Sequence, residues 1–199
     1  MKKSIMLPIL TILLAAAVLL AASFGLNSIA AEKALADHIW LMQTLLPGST
    51  EFTLEPYTGE DANIVSVHKG DGGFVIETAT YGYAGNITMF IGVNNDGNVT
   101  GLVVRDLSET FGLGAEALTD HVFLAQFLNS SGTFEVVTGS ADAFSGATDV
   151  VTETTGDTVQ IDALTGATVT SKAVVRAVNS AVAYVTGADA TSAATSWGG

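Results

Sequence analysis

The sequence predicts an α+β chain: an N-terminal transmembrane helix, then a single domain whose antiparallel β-meander is covered by helices. Three observations carry this. An uncharged, almost wholly apolar run occupies Ile5–Leu26. Four segments with strand-like alternation follow, separated by turns rich in Gly and Asp. Later, residues 115–129 and 170–185 carry apolar side chains at helical spacing.

Each element has its own warrant. About 20 apolar residues suffice to cross a bilayer. Lys2 and Lys3 precede the run, which puts the N-terminus in the cytoplasm and the remainder outside the cytoplasmic membrane, a single pass. A cleaved signal peptide, with small residues near Ser28–Ala31, is the competing reading. The length of the run favours a retained anchor over residues 1–30. No Cys follows it, so a lipoprotein anchor is excluded. Residues 31–50 form a juxtamembrane segment, helical from Ala31 to Leu46 and stopped by Pro47-Gly48.

The domain occupies 51–186. Its strand-like segments are 63–68, 73–81, 86–93 and 98–106, with Asp-Gly turns inside 69–73 and 94–98. They predict a meander with one buried face. Helix 115–129 is expected to cover that face through Leu118, Val122, Ala125 and Leu128. Residues 134–137 and 157–161 read as further strands. A second helix, Thr170–Val185, has apolar positions at Val174, Ala177, Val178, Ala181 and Val185. The tail, 187–199, is small, polar and flexible.

Composition narrows the chemistry. The net charge of −13 argues against nucleic acid, whose phosphates need a basic face. Without Cys there are no disulfides, thiolate ligands or iron–sulfur clusters. His38, His68 and His121 are too scattered for a metal site. No nucleophile–base pair and no dinucleotide glycine fingerprint occur, so no catalytic residue and no metal is assigned. A redox role would require a borrowed cofactor.

One phrase is spelled twice. DAFSGATDVV runs from Asp142 to Val151, and DALTGATVTSKAV from Asp162 to Val174. In the second copy, strand-like residues give way to a helix. Gly166 and Ala167 are small enough for a bulky group to approach the backbone. Thr170 and Ser171 offer caps for the new helix, and Lys172 adds positive charge. A helix start presents free N–H groups and a positive dipole end, which suits phosphate. The residues alone leave two readings open, a phosphate site beside the Thr168 hydroxyl or a plain capping turn.

The phrase closely resembles the flavin-attachment motif of the FMN-binding domain family. Its members include the G subunit of the Rnf ion-translocating ferredoxin:NAD+ oxidoreductase and the C subunit of the sodium-translocating NADH:quinone reductase. The resemblance implies covalently attached FMN, joined by a flavin transferase through a phosphoester to Thr168. Asp162, Thr165, Gly166 and Ala167 complete the recognition motif, and Val169, Thr170, Ser171 and Lys172 follow it. Upstream, SETFGLGAEAL (Ser108–Leu118) is similar to the family's Glu-Thr-Pro-Gly-Leu-Gly segment beside the flavin ring. Glu109, Thr110, Gly112, Leu113 and Gly114 match; Phe111 replaces the Pro, which relaxes the loop.

In the first copy, Thr148 is a possible second acceptor. Asp149 follows it, with β-branched residues and no helical pattern, which disfavours a phosphodiester there. The resemblance implies an electron-transfer subunit of an Rnf-type complex, held among other membrane subunits. Alternatives within the family are the quinone-reductase subunit and a free-standing extracellular flavin carrier. The quinone-reductase subunit tends to be longer than this chain. A different class, a non-redox surface or sensor module, would lack a flavin spectrum.

Overall fold

The computed structural model describes residues 32–107, 118, 121–137, 154–155, 158–164 and 166–188. Ile5–Leu26 lies outside them; among the described residues no helix is long and apolar enough to cross a membrane. The chain divides into two compact units, Met1–Leu41 and Met42–Gly199.

Five strands form an antiparallel sheet in sequential order: β1 (Thr53–Glu55), β2 (Ile64–Gly70), β3 (Gly73–Tyr81), β4 (Asn86–Asn94) and β5 (Val99–Leu107). This is the expected meander, with β1 as an additional edge strand. Gly70 pairs with Gly73, so Asp71-Gly72 is a two-residue hairpin loop. The β4–β5 connection is longer. There the Asn94 side chain accepts hydrogen bonds from the N–H groups of Asp96 (3.0 Å) and Asn98 (2.8 Å).

One face of the sheet carries Ile76, Ile87, Met89, Ile91 and Val93, all inaccessible to water. They share a core with the long helix Thr168–Thr186, which buries Val174, Ala177, Val178 and Ala181 as expected; Val185 is half-buried. Valine is a mediocre helix former, so burial rather than propensity holds this helix. Gly187, at φ 70°, ends it in the left-handed conformation that glycine adopts without strain.

The expectation of a single buried face needs correction. On the opposite face Val75 and Phe90 are also buried. Residues 32–45 are helical, and the final turn brings Met42, Leu45 and Leu46 out of water. Gly92 and Gly101, directly paired across β4 and β5, make room for Leu45. The Leu45 carbonyl, left without a helical partner near the helix end, accepts a hydrogen bond from the Thr100 hydroxyl at 2.5 Å. Pro47 and Gly48, the latter at φ 94°, then turn the chain as expected. Met42, Leu45 and Leu46 thus belong to the same compact unit as the sheet, which runs from Met42.

The covering helix also differs from its expectation. Among the described residues of that span, His121–Ala125 is α-helical and is followed by turns through Asn129. Val122 and Leu128 face solvent, whereas Phe123 and Phe127 are buried. These rings meet edge to face at 5.6 Å, and Phe127 meets Phe134 at 5.5 Å. Burying each ring is worth roughly 1.5–3 kcal/mol, more than the smaller side chains could offer.

A second sheet, not foreseen as such, has the order β6-β8-β7: β6 (Thr133–Val137), β7 (Thr154–Thr155) and β8 (Thr158–Asp162). β6 and β8 are parallel, so both end on the same side. Asn179 of the long helix reads Phe134 as a strand would. Its side chain accepts from the Phe134 N–H and donates to the Phe134 carbonyl, each at 2.9 Å.

The glycine saddle yields a test. A Cβ at Gly92 would lie 2.1 Å from the Leu45 carbonyl oxygen, a backbone atom that cannot swing away. Gly92→Ala is expected to destabilise the domain by about 1–3 kcal/mol. Gly101→Ala, whose nearest atom would lie at 3.0 Å, is expected to cost less. Chemical denaturation of the two variants checks the order.

Candidate functional site

The site is built where β8 turns into the long helix. Asp162 closes β8, and its backbone is clamped by Gln126. The Gln126 side chain accepts from the Asp162 N–H at 2.7 Å and donates to its carbonyl at 3.4 Å. Ala163 extends the parallel pairing by donating its N–H to the Val137 carbonyl at 3.0 Å. The Ala167 N–H then reaches back to the Leu164 carbonyl at 2.9 Å, closing a β-turn. Gly166 stands third in that turn with φ 77°, the value a type II turn demands there. Gly166 is exposed.

The helix begins at Thr168, two residues before its expected start. Ala167 is the N-cap, with no side-chain capping bond. Thr170 and Ser171 therefore are not caps, which corrects the sequence reading. Both are buried in the first turn. The Ser171 hydroxyl instead accepts from the Leu164 N–H (3.0 Å) and donates to the Ala167 carbonyl (3.0 Å). Ala167 belongs to the core, so its small size serves packing rather than access from solvent. Thr168 and Val169 are partly exposed, while Lys172 lies on the surface at the start of the second turn.

The far end of β3 arrives at the same place. Thr80 pairs with Ile87, and its hydroxyl donates to the Ala173 carbonyl at 3.0 Å. Ala173 lies about 7.5 Å along the helix from Thr168, at roughly 1.5 Å per residue. Leu107, the last residue of β5, also pairs with Ile87. The chain entering Glu109–Gly114 thus departs from the sheet end on which the first turns of the helix rest. Glu109, Thr110, Gly112, Leu113, Gly114, Thr148 and Thr165 themselves lie outside the described residues.

Sequence reasoning missed three contributors. Gln126 clamps Asp162 across the fold, a pairing that no local pattern announces. Tyr81, exposed, ends β3 beside the helix. Arg176 donates from its guanidinium to the Tyr81 carbonyl at 2.7 Å, and burial lowers its pKa from the ordinary value. Only the spacing of Thr168, Lys172 and Arg176 on one helical flank could have flagged it.

An uncapped helix start and the nearby Lys172, beside an exposed glycine turn and the partly exposed Thr168, make a set of donors suited to phosphate. No acidic residue occupies the first turn to oppose it. The FMN-binding domain model matches residues 82–183, and the chain belongs to that family. Over 156 residues it is 35% identical to the G subunit of the ion-translocating oxidoreductase complex of Methanosarcina acetivorans, covering 72% of each chain. It is 33% identical to the G subunit of the Na+-translocating ferredoxin:NAD+ oxidoreductase complex of Acetobacterium woodii, covering 66% of this chain and 55% of that one. The crystal structure of Shewanella oneidensis NqrC aligns with a TM-score of 0.46 at 22% identity, over 69% of this chain and 64% of that chain.

The clamps predict a measurable cost. Gln126→Met would leave the Asp162 N–H without its acceptor, and Ser171→Ala would do the same to the buried Leu164 N–H. Each is expected to destabilise the domain by about 1–3 kcal/mol. Urea unfolding of both variants checks this.

Proposed function

We propose that this chain is the flavin-bearing electron-transfer subunit of a membrane-bound, ion-translocating ferredoxin:NAD+ oxidoreductase, with FMN joined through its phosphate to Thr168. The observation that carries the reading is the position of Thr168 within the family match. Thr168, partly exposed, opens an uncapped helix directly after the Gly166 turn. Bound FMN supplies the electron-transfer chemistry; the polypeptide supplies attachment, orientation and electrostatics.

The residues divide the work. N–H groups of the first helical turn and the Lys172 ammonium hold the phosphate. Asp162, Thr165, Gly166 and Ala167 present the hydroxyl to a flavin transferase. Thr170 and Ser171 act from beneath, fixing the turn rather than touching the phosphate. Glu109, Thr110, Gly112, Leu113 and Gly114 line the ring, as the family resemblance implies. Thr148 stays unmodified because Asp149 follows it.

The domain works outside the cytoplasmic membrane, beside other membrane subunits, on a single span at Ile5–Leu26. Leu35, Ile39 and Trp40 are exposed on the helix that follows this run, a composition suited to a membrane boundary or an apolar partner.

Intact-mass measurement of the chain purified from membranes after co-expression with a flavin transferase tests the proposal. One FMN is expected on the wild type, none on Thr168→Val and one on Thr148→Val, all with residues 1–30 retained. Flavin surviving in Thr168→Val, or two flavins on the wild type, would contradict the assignment. A chain beginning near Ala31 would remove the anchor.

A further inference from the structure

Arg176 stands out for what it is not paired with. The chain has 20 acidic residues against 7 basic ones. Lys69 and Arg105 each meet a carboxylate, Glu55 at 3.5 Å and Glu77 at 3.9 Å. Among the described residues neither Lys172 nor Arg176 has a carboxylate within salt-bridge distance. Arg176 is nevertheless half-buried, held by the Tyr81 carbonyl. Withdrawing a cation from water costs free energy, and an anion in the same place recovers that cost.

Its location narrows what that anion is. Thr168, Lys172 and Arg176 recur at four-residue spacing, so they climb one flank of the helix. Arg176 lies about 12 Å along the axis from Thr168. That exceeds the reach of a phosphate esterified at Thr168 but lies within the span of a flavin tethered there. The hydrogen bond to the Tyr81 carbonyl holds the guanidinium at the sheet end where Tyr81 pairs with Asn86, next to the Ile87–Leu107 pair.

We propose that Arg176 tunes the reduction potential of the tethered flavin, its positive charge facing the ring and stabilising the negative charge that the ring gains on reduction. The proposal rests on the reading of Thr168 as the attachment site. Lys172 serves the phosphate; Arg176 serves the ring. A fixed charge in partly desolvated surroundings acts more strongly than one in water, and Tyr81 prevents the side chain from swinging away.

The test is spectroelectrochemical titration of the full-length flavinylated chain, with flavin loading read by mass on the Thr168 peptide. Arg176→Met and Arg176→Gln are expected to shift the midpoint potential to more negative values. Arg176→Lys, which keeps the charge, is expected to stay near the wild type. Lys69→Gln removes the same charge at the other end of the long helix, where Lys69 lies over Phe74 (5.8 Å) and Phe74 meets Tyr184 (5.5 Å). It is expected to leave the potential unchanged. Unchanged potentials in Arg176→Met and Arg176→Gln would overturn the proposal. So would a wild-type potential in Arg176→Gln beside a lowered one in Arg176→Met, since the hydrogen bond alone would then matter. Loss of loading in both Arg176→Lys and Arg176→Gln would assign Arg176 to transferase recognition instead. A wild-type chain with no flavin on the Thr168 peptide would overturn the attachment reading and this one with it, whereas loaded chains of equal potential sink this one alone.

Discussion

A single buried hydroxyl closes the reversal from which the site is built. Ser171 accepts from the Leu164 N–H and donates to the Ala167 carbonyl, so one side chain satisfies a group on each side of the turn. Either bond is worth about 1 kcal/mol net, but losing a partner in a water-free place costs more. Around these bonds Gly166 takes its positive φ, Ala167 is buried in the core, and Thr168, partly exposed, is the first helical residue.

The rest of the domain holds that turn from two directions. From the strand side, Gln126 grips Asp162 and the parallel partner β6 continues into Ala163. From the helix side, Thr80 and Arg176 tie the first turns to the end of β3. Asn179 joins the two by pairing the helix with the backbone of Phe134. Polar side chains thus do the positioning while Val, Ile and Phe supply the burial. A cofactor carrier benefits from this division, since potential and orientation depend on fixed charges and fixed backbone rather than on a reacting side chain.

Much of this was legible in the sequence. The meander followed from alternation and Asp-Gly turns because these are local signals, and β2 to β5 lie close to where the pattern put them. The long helix was legible from its apolar spacing, but its start was misread. Thr170 and Ser171 look like caps, and only the fold reveals that their hydroxyls point inward. The facing of residues 121–129 misled for a related reason, since the spacing of Val122 and Leu128 did not show that Phe123 and Phe127 take the core. The second sheet and the Gln126 clamp were beyond reach. Parallel pairing of β6 with β8 joins distant segments, and no local spacing encodes it. The glycines at 92 and 101 carried a signal of close approach, yet nothing local said that Leu45 was the neighbour.

We propose that a flavin tethered at Thr168 lies across the sheet end shared by Tyr81, Leu107 and the first turns of the long helix. The most direct test is a comparison of backbone amide chemical shifts between flavinylated and flavin-free chains. The largest changes are expected at residues 80–85, 107 and the loop that follows it, and 164–176. Shifts concentrated instead around Phe74 and Tyr184, at the other end of the long helix, would contradict it.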